Sequence, residues 1–143
     1  AASAIQRLTD MNIEQSILAT SINCIIGQRL ARRLCEHCCE KATPDVSILT
    51  SLQVPGNFGD LDFHRAVGCD ECGGTGYRGR VPLFEVMAMS DEIAYLVGAP
   101  TREIEAMAIS QGMFTLREDG VRLAVAGITS LEEVRRVAGD AMS

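Results

Sequence analysis

The chain has 143 residues, a formal net charge of −6, 47% hydrophobic residues and no tryptophan. That length suits one domain or two small lobes, with enough apolar side chain for a real core, one that must be aliphatic and methionine-built. The acidic balance excludes broad binding to a nucleic-acid backbone, which needs a basic face, and the longest apolar runs fall far below the roughly 18–20 residues of a membrane helix, so direct membrane insertion is not expected.

Ala1–Asp10 reads as the end of a helix, closed by the polar turn Asp10-Met11-Asn12. With no Met at position 1 and a helix-like start, the chain looks cut from something longer. Glu14–Ser21 is helix-capable. From Ile22 to Leu34 the even positions carry Ile22, Cys24, Ile26, Gln28, Leu30, Arg32 and Leu34, the odd ones Asn23, Gly27, Arg29 and Arg33 among them. This period of two predicts a long strand with one buried face. The rival is a continuation of the preceding helix, disfavoured by Gly27 and the β-branched residues. A short helix is expected at Pro44–Leu52, with Thr43 as cap and Pro44 at its first position. Arg80–Met87 reads as a second strand, with Pro82 at an edge or bulge because it cannot donate to a ladder.

The last third is helical. Ser90 and Thr101 are candidate N-caps, Gly112 ends the helix Thr101–Gln111, and Gly127 ends the next. Thr115-x-x-Glu118 and Ser130-x-x-Glu133 have the capping-box pattern.

Four of the six cysteines form two C-x₂-C pairs, Cys35–Cys38 and Cys69–Cys72. The 30 residues from Cys39 to Gly68 lie between them, a connection that rarely stays ordered without a staple. Two such pairs can place four thiolates around Zn²⁺, a closed site with no open coordination position, hence structural. Gly73, Gly74 and Gly76 then supply tight turns with φ > 0. No signal peptide opens the chain, and the spacing is that of a metal site rather than a disulfide scaffold, so reduced thiols and a cytoplasmic location are expected. Cys39 and His37 are possible substitute ligands, but Cys38 has the spacing. A complete thiolate set leaves His37 and His64 no vacancy, and each is expected on the surface. Cys24 is expected in the core. Arg29, Arg32, Arg33, Arg78 and Arg80 flank the pairs, either as a solvated strand face or as a site for phosphate or acidic side chains. No G-x₄-G-K-[S/T] loop and no nucleophile–base set appears. No catalytic or cofactor-binding residue is therefore assigned, beyond the metal ligands.

Several motifs line up in one order: AASAIQRLTDMNIEQSIL, QRLARRLC-x₂-C (Gln28–Cys38), GCDECGGTGYRGRVPLFEVM (Gly68–Met87), QGMFTLREDG (Gln111–Gly120) and GITSLEEVRRV (Gly127–Val137). Together they closely resemble the C-terminal end of the secretion ATPases, type II secretion protein E and the type IV pilus assembly ATPases. MAMSDEI and GMFTLREDG lean towards the pilus branch. The resemblance implies a parent that is a hexameric P-loop ATPase using ATP and Mg²⁺. It would lie on the cytoplasmic face of the inner membrane, with secretion or pilus platform proteins as partners. The P-loop would lie upstream of Ala1, so this chain should be inactive alone. It also implies Cys35, Cys38, Cys69 and Cys72 as the zinc ligands. Gln28, Arg29 and Arg32 match the family's QRL-x-R stretch, and Tyr77, Arg78, Gly79 and Arg80 its GY-[K/R]-GR stretch. Pro82, Glu36, Cys39 and Ala138 depart from the family's usual residues, none at a presumed ligand.

The expected fold is α+β: a long antiparallel hairpin carrying a four-cysteine zinc knuckle, followed by a small helical lobe. Residues 1–34 would close the ATPase core, 35–79 form the metal-binding subdomain, 80–89 the return strand and 90–143 the helical subdomain. The competing readings are a free-standing zinc-ribbon interaction module and a J-protein-like chaperone or thiol oxidoreductase fragment. The C-x₂-C-G-G-T-G segment resembles one repeat of the J-domain chaperones' zinc-rich region.

Overall fold

The computed structural model describes residues 1–54 and 61–139. Among them the chain is a mixed α/β fold of seven α-helices and four strands. The long strands β1 (Cys24–Leu34) and β4 (Tyr77–Ala88) pair as an antiparallel hairpin. The strand reading of the first segment therefore holds over its helical rival. The chain divides into two compact units, and the boundary crosses both strands: Ala1–Gly27 with Phe84–Thr115, and Gln28–Leu83 with Leu116–Ser143.

The first unit holds α1 (Ser3–Asp10), α2 (Gln15–Ser21), α4 (Asp91–Tyr95) and α5 (Thr101–Ser110). Its core is Ala2, Ile5, Met87, Ile93, Ile104, Ala108 and Met113, with Met89 and Met107 packed on it, the aliphatic and methionine composition expected. Ser90 caps α4 by accepting from the Ile93 N–H at 3.2 Å. Thr101 is not a cap. The extended residue before α5 is Pro100, at φ −55° and ψ 139°, and Thr101 is already helical. A capping side chain must sit on the extended residue, so the role falls on a ring with no acceptor. Gly112, at φ +97°, turns the chain after α5.

The second unit holds α3 (Val46–Ser51), α6 (Leu116–Val125) and α7 (Leu131–Ala138). The cap of α3 is Asp45, not Thr43, and the helix starts at Val46 rather than Pro44. The Asp45 carboxylate accepts from the Ser47 N–H at 2.8 Å, a stronger acceptor than a threonine hydroxyl set further back. Ile48, Leu49, Leu52 and Phe63 pack with Val121, Ala124, Leu131 and Val134 in one cluster. Gly120 lets α6 press on its neighbours: a Cβ there would stand 2.6 Å from Val134 and 2.8 Å from Leu83. The connection between the cysteine pairs also contains a small antiparallel sheet that the sequence did not suggest, β2 (Glu40–Ala42) on β3 (Phe63–Arg65). Its two strands are three residues each, too short for a period to register.

Two expectations about the long strands are corrected, the buried face of β1 and the start of β4. On β1 most of the even row stays outside: Cys24 is exposed, Ile26 is 59% and Leu30 46% exposed, and Leu34 alone is buried. Of the odd positions Ile25 and Gly27 are half-buried and Ala31 is buried, packed among Leu83, Leu116, Leu123 and Ala138. A two-stranded ribbon can be covered on either side, and the helices, coming from elsewhere in the chain, choose the side. The second strand starts at Tyr77 rather than Arg80 and carries Pro82 without a break. Each strand of such a ribbon has one unpaired edge, where a residue lacking N–H is tolerated.

Candidate metal centre

Cys35 follows the last residue of β1, and Cys72 precedes β4 by five positions. The two pairs therefore meet at the end of the hairpin, where the Cys35 N–H donates to the Gly76 carbonyl at 2.9 Å. The first pair bends in a tight turn, with the Cys38 and Cys39 N–H groups both donating to the Cys35 carbonyl. The second bends in a 3₁₀ turn over Asp70–Cys72, after which Gly73, Gly74 and Gly76 take φ of 64°, 80° and 78°. Gly76 is required twice over. Its φ is left-handed, and a Cβ would lie 2.5 Å from that of Ala66.

These turns bring the sulfurs of Cys35, Cys38, Cys69 and Cys72 within 4.8 Å of one another. Three of the edges are 3.8 Å for Cys35–Cys69, 3.8 Å for Cys38–Cys72 and 3.7 Å for Cys69–Cys72. Disulfide sulfurs lie about 2.05 Å apart, so all four are free thiols. Cys35 is buried and the others half-buried. Backbone N–H groups point at the sulfurs: Gly68 at Cys38 (3.3 Å), and Cys69 and Gly76 at Cys72 (3.2 and 3.1 Å). Burial alone would raise the Cys72 thiol. The N–H donors of Cys69 and Gly76 overcome it and bring Cys72 down to about 6, while burial, joined by the neighbouring sulfurs, pushes Cys38 up to about 11. Four close thiols with N–H donors behind them can hold a metal ion.

Among the described residues no other set of three or more Cys, His, Asp or Glu is so placed. Neither Cys39 nor His37 belongs to the cluster. His37 is exposed as expected, but His64 is not: it is half-buried on β3, its Nδ1 enclosed and without a hydrogen-bond partner.

The arginines do not converge as a set. Arg33 pairs with Glu36 at 3.1 Å and Arg78 with Glu71 at 3.4 Å, both exposed, and Arg29 donates to the Gln28 carbonyl. Arg32 and Arg80 instead share a groove of about 610 Å³ with Leu30, Ala31 and Arg136. Arg32 has a further partner that sequence reasoning missed. Glu133, expected to complete a capping box, is 1% exposed and accepts from the Arg32 N–H (2.8 Å), from Arg32 Nε and Nη2 (2.9 and 2.7 Å) and from Arg136 Nε and Nη2 (2.9 and 2.7 Å). Only half of the box forms: Ser130 Oγ accepts from the Glu133 N–H at 3.3 Å, but the carboxylate is taken up by the arginines. Burial would raise the Glu133 carboxyl; the bonds from Arg136 and Arg32 win and hold it down to about 2.

The fold and the site define a mixed α/β chain whose hairpin ends in a tetracysteine cluster able to hold a metal. The family model for type II/IV secretion system proteins matches residues 1–136, so the chain belongs to that family. It is 41% identical over 137 residues to the type IV pilus assembly ATPase PilB of Thermus thermophilus, covering 94% of this chain and 15% of that protein. It is 39% identical over 143 residues to the type II secretion system protein HxcR of Pseudomonas aeruginosa, covering 99% and 27%. With type II secretion system protein E of Klebsiella pneumoniae it shares 36% identity over 136 residues, 94% and 27% of the two chains. The chain thus spans between 15% and 27% of the length of these relatives. No helix among the described residues is long and apolar enough to cross a membrane.

Proposed function

We propose that this chain is the zinc-binding C-terminal part of a hexameric P-loop ATPase that powers type IV pilus assembly or type II secretion. The observation that carries the metal reading is the sulfur spacing. Four thiolates about 2.3 Å from a tetrahedral Zn²⁺ lie about 3.8 Å from one another, and three edges of the cluster are 3.7–3.8 Å. Cys35, Cys38, Cys69 and Cys72 are the ligands. When bound, the metal supplies a cross-link between the two pairs and leaves no open position for chemistry. The residues themselves do the rest: Gly68, Cys69 and Gly76 hold the sulfurs by their N–H groups, and the Cys35–Gly76 bond closes the hairpin beneath them.

The motor reading rests on family membership and on relatives named as ATPases. ATP and Mg²⁺ would be bound by the longer parent, on the cytoplasmic side of the inner membrane. The zinc-stapled hairpin and the C-terminal helices would serve as rigid surfaces towards neighbouring subunits and membrane platform proteins. In this division, residues 35–79 form the metal-binding part, 80–89 the return strand and 90–143 the helical part, with 1–34 closing the motor core. Residues 140–143 and 55–60 of these ranges lie outside the described residues.

Metal analysis of the purified protein with a thiol count is expected to give one zinc and four protected thiols. The C35S/C69S double variant is expected to lose the zinc. If that variant kept both its full zinc content and full support of pilus or secretion assembly, the reading would fall. Phosphate release from ATP by the chain alone is expected to be nil, and measurable turnover would overturn the placement of the chemistry upstream.

A further inference from the structure

The loop leading into α7 touches both strands of the hairpin directly beneath the sulfur cluster. On the β1 side, the Leu34 N–H donates to the Ile128 carbonyl (2.9 Å) and Thr129 Oγ1 donates to the Arg32 carbonyl (2.8 Å). Glu133 takes both the Arg32 N–H and its guanidinium. On the β4 side, the Tyr77 hydroxyl meets Ser130 Oγ at 2.7 Å, and the Tyr77 ring lies under the Arg32 guanidinium, 4.2 Å from ring centroid to Cζ. Thr129, Ser130 and Glu133 are each at most 1% exposed. Cys35 is three residues beyond Arg32, and Cys72 five before Tyr77.

From this arrangement we infer that Glu133 is a positioning residue for the metal centre, and that metal binding and the folding of α7 are energetically coupled. The inference rests on the zinc reading above. The physical argument is one of rigidity. Four sulfurs bind a metal more tightly when their spacing is set before the ion arrives, because less ordering then opposes binding. The direct Cys35–Gly76 bond sets one side of that spacing. The strands beneath it pair with each other and are also bridged by one segment, residues 128–133, whose anchor is a buried carboxylate that accepts five hydrogen bonds. None of those donors is a sulfur ligand, so Glu133 acts through the backbone at Arg32, not on the metal. Coupling is reciprocal: what α7 contributes to metal affinity, the metal returns to α7.

The wild-type protein gives the first test. Amide exchange across α7, 131–138, measured with Zn²⁺ bound and after chelation, is expected to be slower in the loaded form. Equal exchange in the two forms would overturn the inference. The second test is Glu133→Gln, which keeps size and loses the charge. Its Zn²⁺ affinity, read by competition with a chromophoric chelator, is expected to fall about 10-fold, the scale on which supporting groups around metal ligands act. The visible spectrum of the Co²⁺-substituted variant should keep the position of a four-thiolate centre, because the ligands are untouched. Unchanged affinity in a folded variant would overturn the inference, and so would a changed Co²⁺ spectrum, which would mean that the ligand set itself had altered. Should Glu133→Gln not fold, Tyr77→Phe removes only the hydroxyl link to Ser130 and is expected to weaken Zn²⁺ binding and α7 protection together; either one changing without the other would count against coupling. A protein that bound neither Zn²⁺ nor Co²⁺ would instead refute the metal reading, before any question of α7.

Discussion

Glu133 illustrates how one side chain can be misjudged from its neighbours in sequence. Three positions after Ser130 it has the spacing of a capping box, yet its carboxylate serves Arg32, 101 residues away in the chain. Its pH dependence follows from its depressed carboxyl, which moves from 4.5 to about 2. A depressed acid adds stability that is fully present above the unfolded value and is lost as the pH falls through the folded one. The contribution, on the order of 3 kcal/mol for such a shift, should therefore vanish between pH 4.5 and 2. Urea midpoints measured down that range are expected to drop in the wild type and to drop less in Glu133→Gln. At pH 7 Glu133→Ala is expected to cost about 2–3 kcal/mol, below the full price of a broken buried pair because the two arginines are half-exposed and can turn to water.

Gly76 makes the opposite case, since its role is legible in both descriptions. The C-G-G-T-G run asks for left-handed turns, and the structure adds the contact with Ala66. Gly76→Ala is expected to destabilise by about 1–3 kcal/mol and to weaken zinc binding, measured by thermal melting and chelator competition. A variant as stable as the wild type would mean that the turn can be rebuilt without it.

At the scale of elements, caps and stops follow local chemistry. Ser90 and Ser130 cap the helices that their position suggests, because a cap needs only an acceptor and an extended residue. Thr43 and Thr101 fail for the same reason: the extended residue lies elsewhere, at Asp45 and Pro100. Ser130→Ala should cost about 1 kcal/mol for the cap and rather more here, because the Tyr77 hydroxyl loses its partner too. Equilibrium unfolding of the single variants and of Ser130→Ala with Tyr77→Phe would separate the two contributions; a double variant no worse than Ser130→Ala is the expected outcome. The strand faces were less legible. Alternation identified β1 as a strand, but which row is buried depends on where the helices come to rest.

At the scale of the molecule, each compact unit draws on two separate stretches of chain, and the sulfur cluster belongs to one of them. The core of the other unit contains no ligand. Chelation is accordingly expected to remove a minor part of the far-ultraviolet dichroism and to raise amide exchange around the cysteine pairs and α7, while the core around Ile5, Met87 and Ile104 keeps its protection. Global unfolding on metal removal would contradict this division.

The strand–knuckle–strand order, the pairing of the four cysteines, the helical last third and the family are all legible in the order of residues along the chain. Each is written in short-range spacing: two residues between paired thiols, a period of two in a strand, a glycine after a helix. The covered side of β1, the small sheet between the knuckles, the enclosure of His64 and the partners of Glu133 are set by packing in three dimensions. These depend on residues brought together from distant parts of the chain, and burial and charge pairing act through space, where no local period records them.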